Sequence, residues 1–337
     1  MRTFLSLILF GLGLVYVVPL TGFMLLRGIP ANPPWWLDLA NTFTLYLFIP
    51  TVPLLVLGLL TFSRPTLLLC LLPVLLFVFL YGGLFLPRHS SPTAGQDTFT
   101  VMTHNVGAGS PNAPSVAQIV DETNADIVAI QELTDETAQA LIARLGDQYR
   151  YRALLPRADY SGVGVFSRFP IESEESFTVG HLAQHLVLNI RGQRVHVFNF
   201  HPMAPDIQWI TGHSLPPYMI RGFDTEWQTK QMAFIQKKVE EAEGPIVMVG
   251  DFNTTDQSRQ YGQLTHNLTD VYREVGWGFG HTFPAAGYFP RLPFSVLRID
   301  YIFHSRELTG REARVAGPTG SDHLPVIARL SLNNSSQ

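Results

Sequence analysis

The sequence is short of charge. Only 15% of its 337 residues are Asp, Glu, Lys or Arg, against about 25% in an average soluble chain. The deficit is local. Residues 1–87 hold Arg2, Arg27 and Arg64, one acid (Asp38) and no lysine. The remainder carries 20 basic and 26 acidic side chains, a net charge of −6. The first third is therefore composed for a different solvent from the rest. Cysteine is nearly absent: Cys70 stands alone, which excludes an intrachain disulfide and any cysteine-based metal site. The acidic remainder has no run of Lys or Arg, and this balance counts against a DNA partner, because nucleic-acid binders are more often basic.

What fills the first third is hydrocarbon. Thr3–Leu26, Leu39–Ser63 and Pro65–Pro87 carry no charged residue, and each exceeds the roughly 20 residues needed to cross a bilayer. Pro19, Pro50, Pro53 and Pro73 interrupt these runs, which membrane helices tolerate. Trp35, Trp36 and Tyr81 lie near run ends, where interfacial rings gather. A cleaved signal peptide needs a shorter apolar stretch and a small-residue cleavage site, and "PLTGFMLLRG" after Val18 supplies none. Three transmembrane helices are expected over residues 1–87. Arg2 and Arg64 then fall on one side and Arg27 and Arg88 on the other, a tie under the positive-inside rule. A short N-terminus held in the cytoplasm would make this a multi-pass cell-membrane protein with an extracytoplasmic C-terminal domain.

A polar linker over residues 88–97 leads into a domain over 98–332 and a polar tail over 333–337. "TFTVMTHNV", "DIVAIQEL", "GVGVFS", "HLVLNI" and "RVHVFNF" read as strands, as do the segments 245–250, 298–304 and 324–330. Helices are predicted over 115–124, 134–146 and 224–244, the last with Trp227, Met232, Ile235 and Val239 spaced for one face. Strands alternate with helices but hairpins also occur, so the domain is α/β with mixed sheets.

Polar residues recur where these strands run out: Asn105, Glu132, His201, Asp251 with Asn253, Asp300, and Asp322 with His323. Singly, each has a plain reading. Asn105 before Gly107 is turn chemistry, Glu132 is an acid near a helix start, and His201 before Pro202 ends a strand. Together they gather at strand ends, where α/β domains place function. The set offers hard oxygen donors and no thiol, which suits Mg²⁺ or Mn²⁺.

The ordered motifs "THNV", "IQEL", "SGVGVFSRFP", "FNFHP", "VGDFN", "RIDYIF" and "SDHLPV" resemble the endonuclease/exonuclease/phosphatase superfamily, which includes sphingomyelinases, inositol polyphosphate 5-phosphatases and abasic-site nucleases. The resemblance spans about Phe99 to Leu330. It implies a four-layer α/β/β/α sandwich of two mixed sheets, with a metal-dependent phosphoesterase site at one end. By the same resemblance, Glu132 is the main metal ligand, with Asn105 and Asp322 near it. Asp251 positions and deprotonates water, Asn253 and His201 bond phosphoryl oxygens, and His323, oriented by Asp300, meets the phosphate. Abasic-site nucleases carry an acid where this chain has Gly107 and a tyrosine where it has His201, so the match leans towards small phosphoesters or lipids. The arrangement also resembles membrane-anchored members linked to teicoplanin resistance.

The segments 202–223 and 285–297 are apolar and flank His201 and Asp300. They read either as covers over the sheet ends or as a rim that meets the bilayer. The expected function is hydrolysis of a phosphate ester or pyrophosphate, on a lipid or lipid-linked substrate. A membrane-tethered DNA phosphodiesterase and a non-catalytic receptor or scaffold stay open as alternatives.

Overall fold

A computed structural model describes residues 2–29, 32–86, 98–108, 113–209, 220–286 and 293–333. The predicted linker over 88–97 lies outside the described residues, as does all of the tail but residue 333. The chain divides into two compact units. The first comprises Met1–Leu86, Asp206–Thr225 and Gln257–Arg259; the second holds the rest.

In the first unit, α1 (Arg2–Leu26), α2 (Trp35–Thr42), α3 (Thr51–Leu60) and α4 (Arg64–Tyr81) follow the apolar runs. Thr3–Leu26 and Arg64–Phe85 are long and apolar enough to cross a membrane. The run expected to form the second straight span is bent instead: α2 meets the Thr44–Leu60 segment at 80°. A 3₁₀ turn over Thr44–Phe48 occupies the break. The Thr44 hydroxyl donates to the Ala40 and Asn41 carbonyls at 3.1 and 2.8 Å. Pro50 and Pro53 lack the N–H groups that would continue a helix backwards. The unit thus has two apolar spans, or three if the bent pair counts as one. Polar contacts tie it together: Tyr16 Oη lies 2.7 Å from Thr51 Oγ1, and Thr225 donates to Asp38 Oδ2 at 2.8 Å.

The second unit is built from two six-stranded sheets. The strands are β1 (Thr98–Asn105), β2 (Ile127–Gln131), β3 (Tyr151–Leu155), β4 (Val163–Ser167), β5 (Ile171–Val179), β6 (His181–Ile190) and β7 (Gln193–Phe200). The hairpin β8 (Asp206–Trp209) and β9 (Ile220–Asp224) clusters with the first unit. Then come β10 (Ile246–Asp251), β11 (Thr269–Asp270), β12 (Asp300–His304), β13 (Leu308–Val315) and β14 (Val326–Leu332). One sheet has the order β13-β14-β1-β2-β4-β3, the other β11-β12-β10-β7-β6-β5. Both mix parallel pairs (β1 with β2, β7 with β10) and antiparallel ones.

Period-two side chains explain the layering. Val101, Ile127, Val197, Val247 and Val249 share one buried cluster between the sheets. Their neighbours point outwards. Met102, Val128 and Phe166 pack under α5 (Ala113–Thr123) and α6 (Asp135–Leu145), while Phe198, Met248 and Phe303 pack under α7 (Glu226–Glu240). The result is the α/β/β/α sandwich. The short turn between β6 and β7 is made by Arg191 and Gly192, both at positive φ (54° and 90°), as a two-residue hairpin requires.

Two outcomes follow. Gly250 sits at φ 146°, and a Cβ there would overlap the Phe200 carbonyl oxygen. Gly250→Ala should cost about 3 kcal/mol, seen as a lower melting temperature of the detergent-solubilised chain. His104 is fully buried in β1, its Nε2 2.8 Å from Thr319 Oγ1. Burial, aided by His323, pushes it down to about 3. The folded value lies below the ordinary one, so the unfolded state takes up a proton first. Stability is intact above about pH 6.5 and should fall by roughly 2–4 kcal/mol as the pH drops towards 4. His104→Gln should flatten that limb in melting curves recorded against pH.

Candidate active site

Strand register places the polar residues at one end. Asn105 closes β1 opposite Gln131, the last residue of its parallel partner β2, so Glu132 follows beside it. In the second sheet Gly250 lies opposite Phe200, which brings Asp251 and His201 out together. The antiparallel neighbour begins there: Asp300 pairs with Asp251. Val326 pairs with Thr103, so the turn carrying Asp322 and His323 enters β14 next to the end of β1.

Six of the predicted residues meet. Asn105 Nδ2 donates to Glu132 Oε1 and to Asp251 Oδ2, each at 3.0 Å. Asn105 Oδ1 accepts from the Gly107 backbone N–H at 3.0 Å, which fixes the side-chain amide's orientation. Asn105 therefore faces the carboxylates as a donor. His201 Nε2 is 3.6 Å from Asp251 Oδ2 and 3.9 Å from Glu132 Oε1. His323 Nε2 is 3.6 Å from Asp251 Oδ2, and its Nδ1 is 3.0 Å from Asp300 Oδ2. Asn253 sits at the rim: its amide N–H donates to Asp251 Oδ1 at 2.9 Å and its side chain to the Pro202 carbonyl at 3.1 Å. Asp322 is adjacent, its carboxylate 3.4 Å from Ser321 Oγ. Glu132 and Asn253 both adopt positive φ, 56° and 51°, a conformation that L residues pay strain to hold.

The electrostatics separate the two histidines. Burial pulls His201 down to about 4, outweighing the opposing pull of Asp251. Burial also lowers His323, but Asp300 and Asp251 overcome it and lift the imidazole to about 10. One ring is neutral and the other cationic. Burial raises Glu132, against the Ala108 amide and Asn105, which stabilise its charge. Burial likewise raises Asp300, with His323 opposing.

Three carboxylates (Glu132, Asp251, Asp300) gather around one imidazolium in a buried place, an acidic surplus that fits a divalent cation. Asp251, Asp300 and His323 offer ligand atoms within 4.8 Å of one another. Nevertheless, a protonated His323 has no lone pair to give, and its Nδ1 is taken by Asp300. Glu132, whose oxygens among the described residues accept from Asn105 and the Ala108 amide at 3.0 and 2.9 Å, is the better-placed donor.

Some contributors went unnoticed in the sequence. Ser321, inside "SDHLPV", donates to the Asn105 carbonyl at 2.8 Å and accepts from the His323 amide at 3.1 Å. The His181 ring lies against His201, centroids 4.4 Å apart and planes tilted by 35°, its Nδ1 3.0 Å from the His201 carbonyl. A spare Ser in a quoted motif signalled the first; nothing signalled the second.

The fold has solved counterparts. An endonuclease/exonuclease/phosphatase family protein of Bacteroides thetaiotaomicron is 18% identical, with a TM-score of 0.56 over 71% of this chain and 100% of that one. A mannosyl-6-phosphatase of the same species is 19% identical, TM-score 0.55, covering 69% and 99%. D. rerio TDP2, solved with a single-strand DNA product, is 16% identical, TM-score 0.55, covering 69% and 99%. A UPF0294 protein of Vibrio campbellii is 28% identical over 111 residues, 33% of this chain and 36% of that protein, so the chain spans about a third of that relative's length. The model of the Endonuclease/Exonuclease/phosphatase family matches residues 102–323, and with that span running from within β1 to the turn before β14 and holding every candidate site residue, the chain belongs to this family.

Proposed function

We propose that the second unit is a divalent-cation-dependent phosphoesterase acting on a lipid or lipid-linked phosphate. One observation carries the chemistry: around Asp251, a neutral and a cationic histidine face a buried, over-negative carboxylate group. Environments that push paired groups apart mark acid and base roles. Members of the family hydrolyse phosphate esters and generally need a divalent metal.

A cation, Mg²⁺ or Mn²⁺, held by Glu132 with Asp322 alongside, would supply Lewis acidity and stabilise the leaving oxygen. Asp251 accepts a proton from the attacking water and aligns it in line with the phosphorus. Asn105 holds the Glu132 and Asp251 carboxylates at a fixed separation. His323, kept protonated by Asp300, meets developing charge on the phosphoryl oxygens. His201 presents a neutral ring to the same group, and the Asn253 amide has a second N–H that can donate to it.

The lipid assignment rests on the apolar spans and on exposed Met203, Ile207, Trp209 and Phe294 in the two segments read as a rim. The rest of those segments, 210–219 and 287–292, lies outside the described residues. A tethered domain meets a bilayer lipid at high effective concentration. The extracytoplasmic placement belongs to the same proposal, and a reporter fused after Gln337 tests it: a cytoplasmic signal reverses the topology. A DNA phosphodiesterase is the second reading, favoured by the likeness to TDP2 and opposed by the net charge of −6 outside the membrane portion.

Phosphate or headgroup release from a panel of lipid phosphates, sugar phosphates and DNA decides between them. Asp251→Asn should lower kcat by about 10³-fold and His323→Ala by about 10²-fold, with EDTA abolishing turnover and Mg²⁺ restoring it. Unchanged rates in both variants would return the domain to a binding role. The pH profile gives a second check. Loss of the His323 proton as pH rises through about 10 sets the alkaline limb. Asp300→Asn removes its largest charge partner and should move that limb at least about one unit towards neutrality.

A further inference from the structure

His104 is wholly buried near the end of β1 and takes no part in the chemistry above. Successive side chains of a strand point to opposite faces. Asn105 turns towards Glu132 and Asp251, so His104 turns to the other face of the sheet. Its Nε2 lies 2.8 Å from Thr319 Oγ1, and its Nδ1 has no hydrogen-bond partner among the described residues. A buried nitrogen without a partner costs stability, and an apolar ring in its place would carry no such cost. What the imidazole supplies there is the Nε2 contact. That contact opens a chain of bonds. Thr319 Oγ1 accepts from the Ser321 amide at 3.5 Å. Ser321 Oγ donates to the Asn105 carbonyl at 2.8 Å and accepts from the His323 amide at 3.1 Å. Thr319 and Ser321 are themselves buried.

The last two residues of β1 therefore grip the turn before β14 at two points, the His104 ring at Thr319 and the Asn105 carbonyl at Ser321. One point would leave the turn free to pivot about it, whereas two fix it. On its other side the turn is held by main chain. The Ala285 N–H donates to the Asp322 carbonyl at 2.6 Å, and the Leu324 N–H to the Thr282 carbonyl at 2.9 Å. His323 needs that precision. Its Nδ1 must stay 3.0 Å from Asp300 Oδ2 while its Nε2 stays 3.6 Å from Asp251 Oδ2, and a misplacement of about 1 Å costs roughly 10²-fold in rate. We propose that His104 is a positioning residue of the phosphoesterase site, setting through Thr319 and Ser321 the place of the turn that carries Asp322 and His323. This role rests on the catalytic reading above and extends it to a side chain on the far face of β1.

The test uses the detergent-solubilised full chain with Mg²⁺, the substrate panel above, and amide hydrogen exchange read over residues 319–324. His104→Gln keeps a polar atom where Nε2 stands, His104→Asn where Nδ1 stands, and His104→Phe at neither. His104→Phe and His104→Asn should lower kcat about 10- to 100-fold with KM changed less than about twofold. His104→Gln should recover the rate to within about threefold of the wild type. Thr319→Val removes the bond from its other end and should cost as much as His104→Phe. The two together should cost no more than either alone, because both cut one contact; separate structural damage would add instead. Exchange over 319–324 should quicken about tenfold in His104→Phe and Thr319→Val and keep the wild-type rate in His104→Gln. Should His104→Phe fail to fold, Thr319→Val carries the test with β1 unaltered. Equal rates in His104→Asn and His104→Gln, additive losses in the double variant, or unchanged exchange would each overturn the proposal. A wild type that releases no phosphate from any substrate removes the phosphoesterase and leaves the exchange to decide the clamp. Wild-type turnover with kcat unchanged in Thr319→Val removes the clamp alone.

Discussion

The contacts that join the two halves of the site cross from one sheet to the other. Asn105 belongs to the β1 sheet and Asp251 to the β10 sheet, joined at 3.0 Å. His323, at the entrance to β14, meets Asp300 at the start of β12. Glu132 follows β2, and His201, 3.9 Å away, follows β7. Neither sheet alone has a site. The spacing of the sheets is set below by Val101, Ile127, Val197, Val247 and Val249 and by a buried polar bridge, Gln131 Nε2 to Asn199 Oδ1 at 2.7 Å. Interiors are close-packed and do not deform continuously, so a core volume change should be felt at the carboxylates several residues away.

That geometry makes the charge pattern. Asp251 is almost wholly buried, and its Oδ2 atom is the common neighbour of Asn105, His201 and His323. The two imidazoles differ in what lies behind them. His323 has Asp300 at 3.0 Å on its far nitrogen, whereas the far nitrogen of His201 has no carboxylate partner among the described residues, and its ring lies tilted against His181. A carboxylate behind a ring holds its proton; burial without one removes it. The same residue type thus supplies a cation and a neutral ring within one buried cluster.

The sequence exposes the central part of this fold and hides its edges. β1, β2, β4, β6, β7, β10, β12 and β14 were all legible as apolar runs. Within the two six-stranded sheets, the strands it did not reveal, β3, β5, β11 and β13, are the four edges. An edge strand keeps one flank in solvent, and its side chains say so: β5 reads "IESEESFTV" and β13 "LTGREARV". Acids on an edge discourage further pairing and erase the alternation by which strands are recognised. The site residues were legible because each stands at the start or the end of an apolar run. The orientation of Asn105, the packing of His181 against His201 and the left-handed backbone at Glu132 and Asn253 are properties of assembly, with no pattern along the chain to signal them.

The closeness of Asp251 to Asp300 needs its own support, since two buried carboxylates on adjacent strands repel. His323 neutralises part of that repulsion. The rest is resisted by a second buried network just beyond it. Arg298, two residues before Asp300, bonds Asp270 at 2.7 Å and Asp256 at 3.3 Å, and lies over the Tyr301 and Tyr272 rings. Asp256, five residues after Asp251, also takes Arg273 at 2.7 Å. Tyr301 closes the loop by donating to the carbonyls of Thr254 and Arg298 at 2.9 and 2.7 Å. The exit of β10 and the entry of β12 are therefore clamped together outside the site. Two acids and two guanidiniums balance, so burying them leaves no lone charge, although desolvating four ions gives little net stability. What the network supplies is position: it holds the two strand ends in the register that keeps Asp300 behind His323 and His323 beside Asp251.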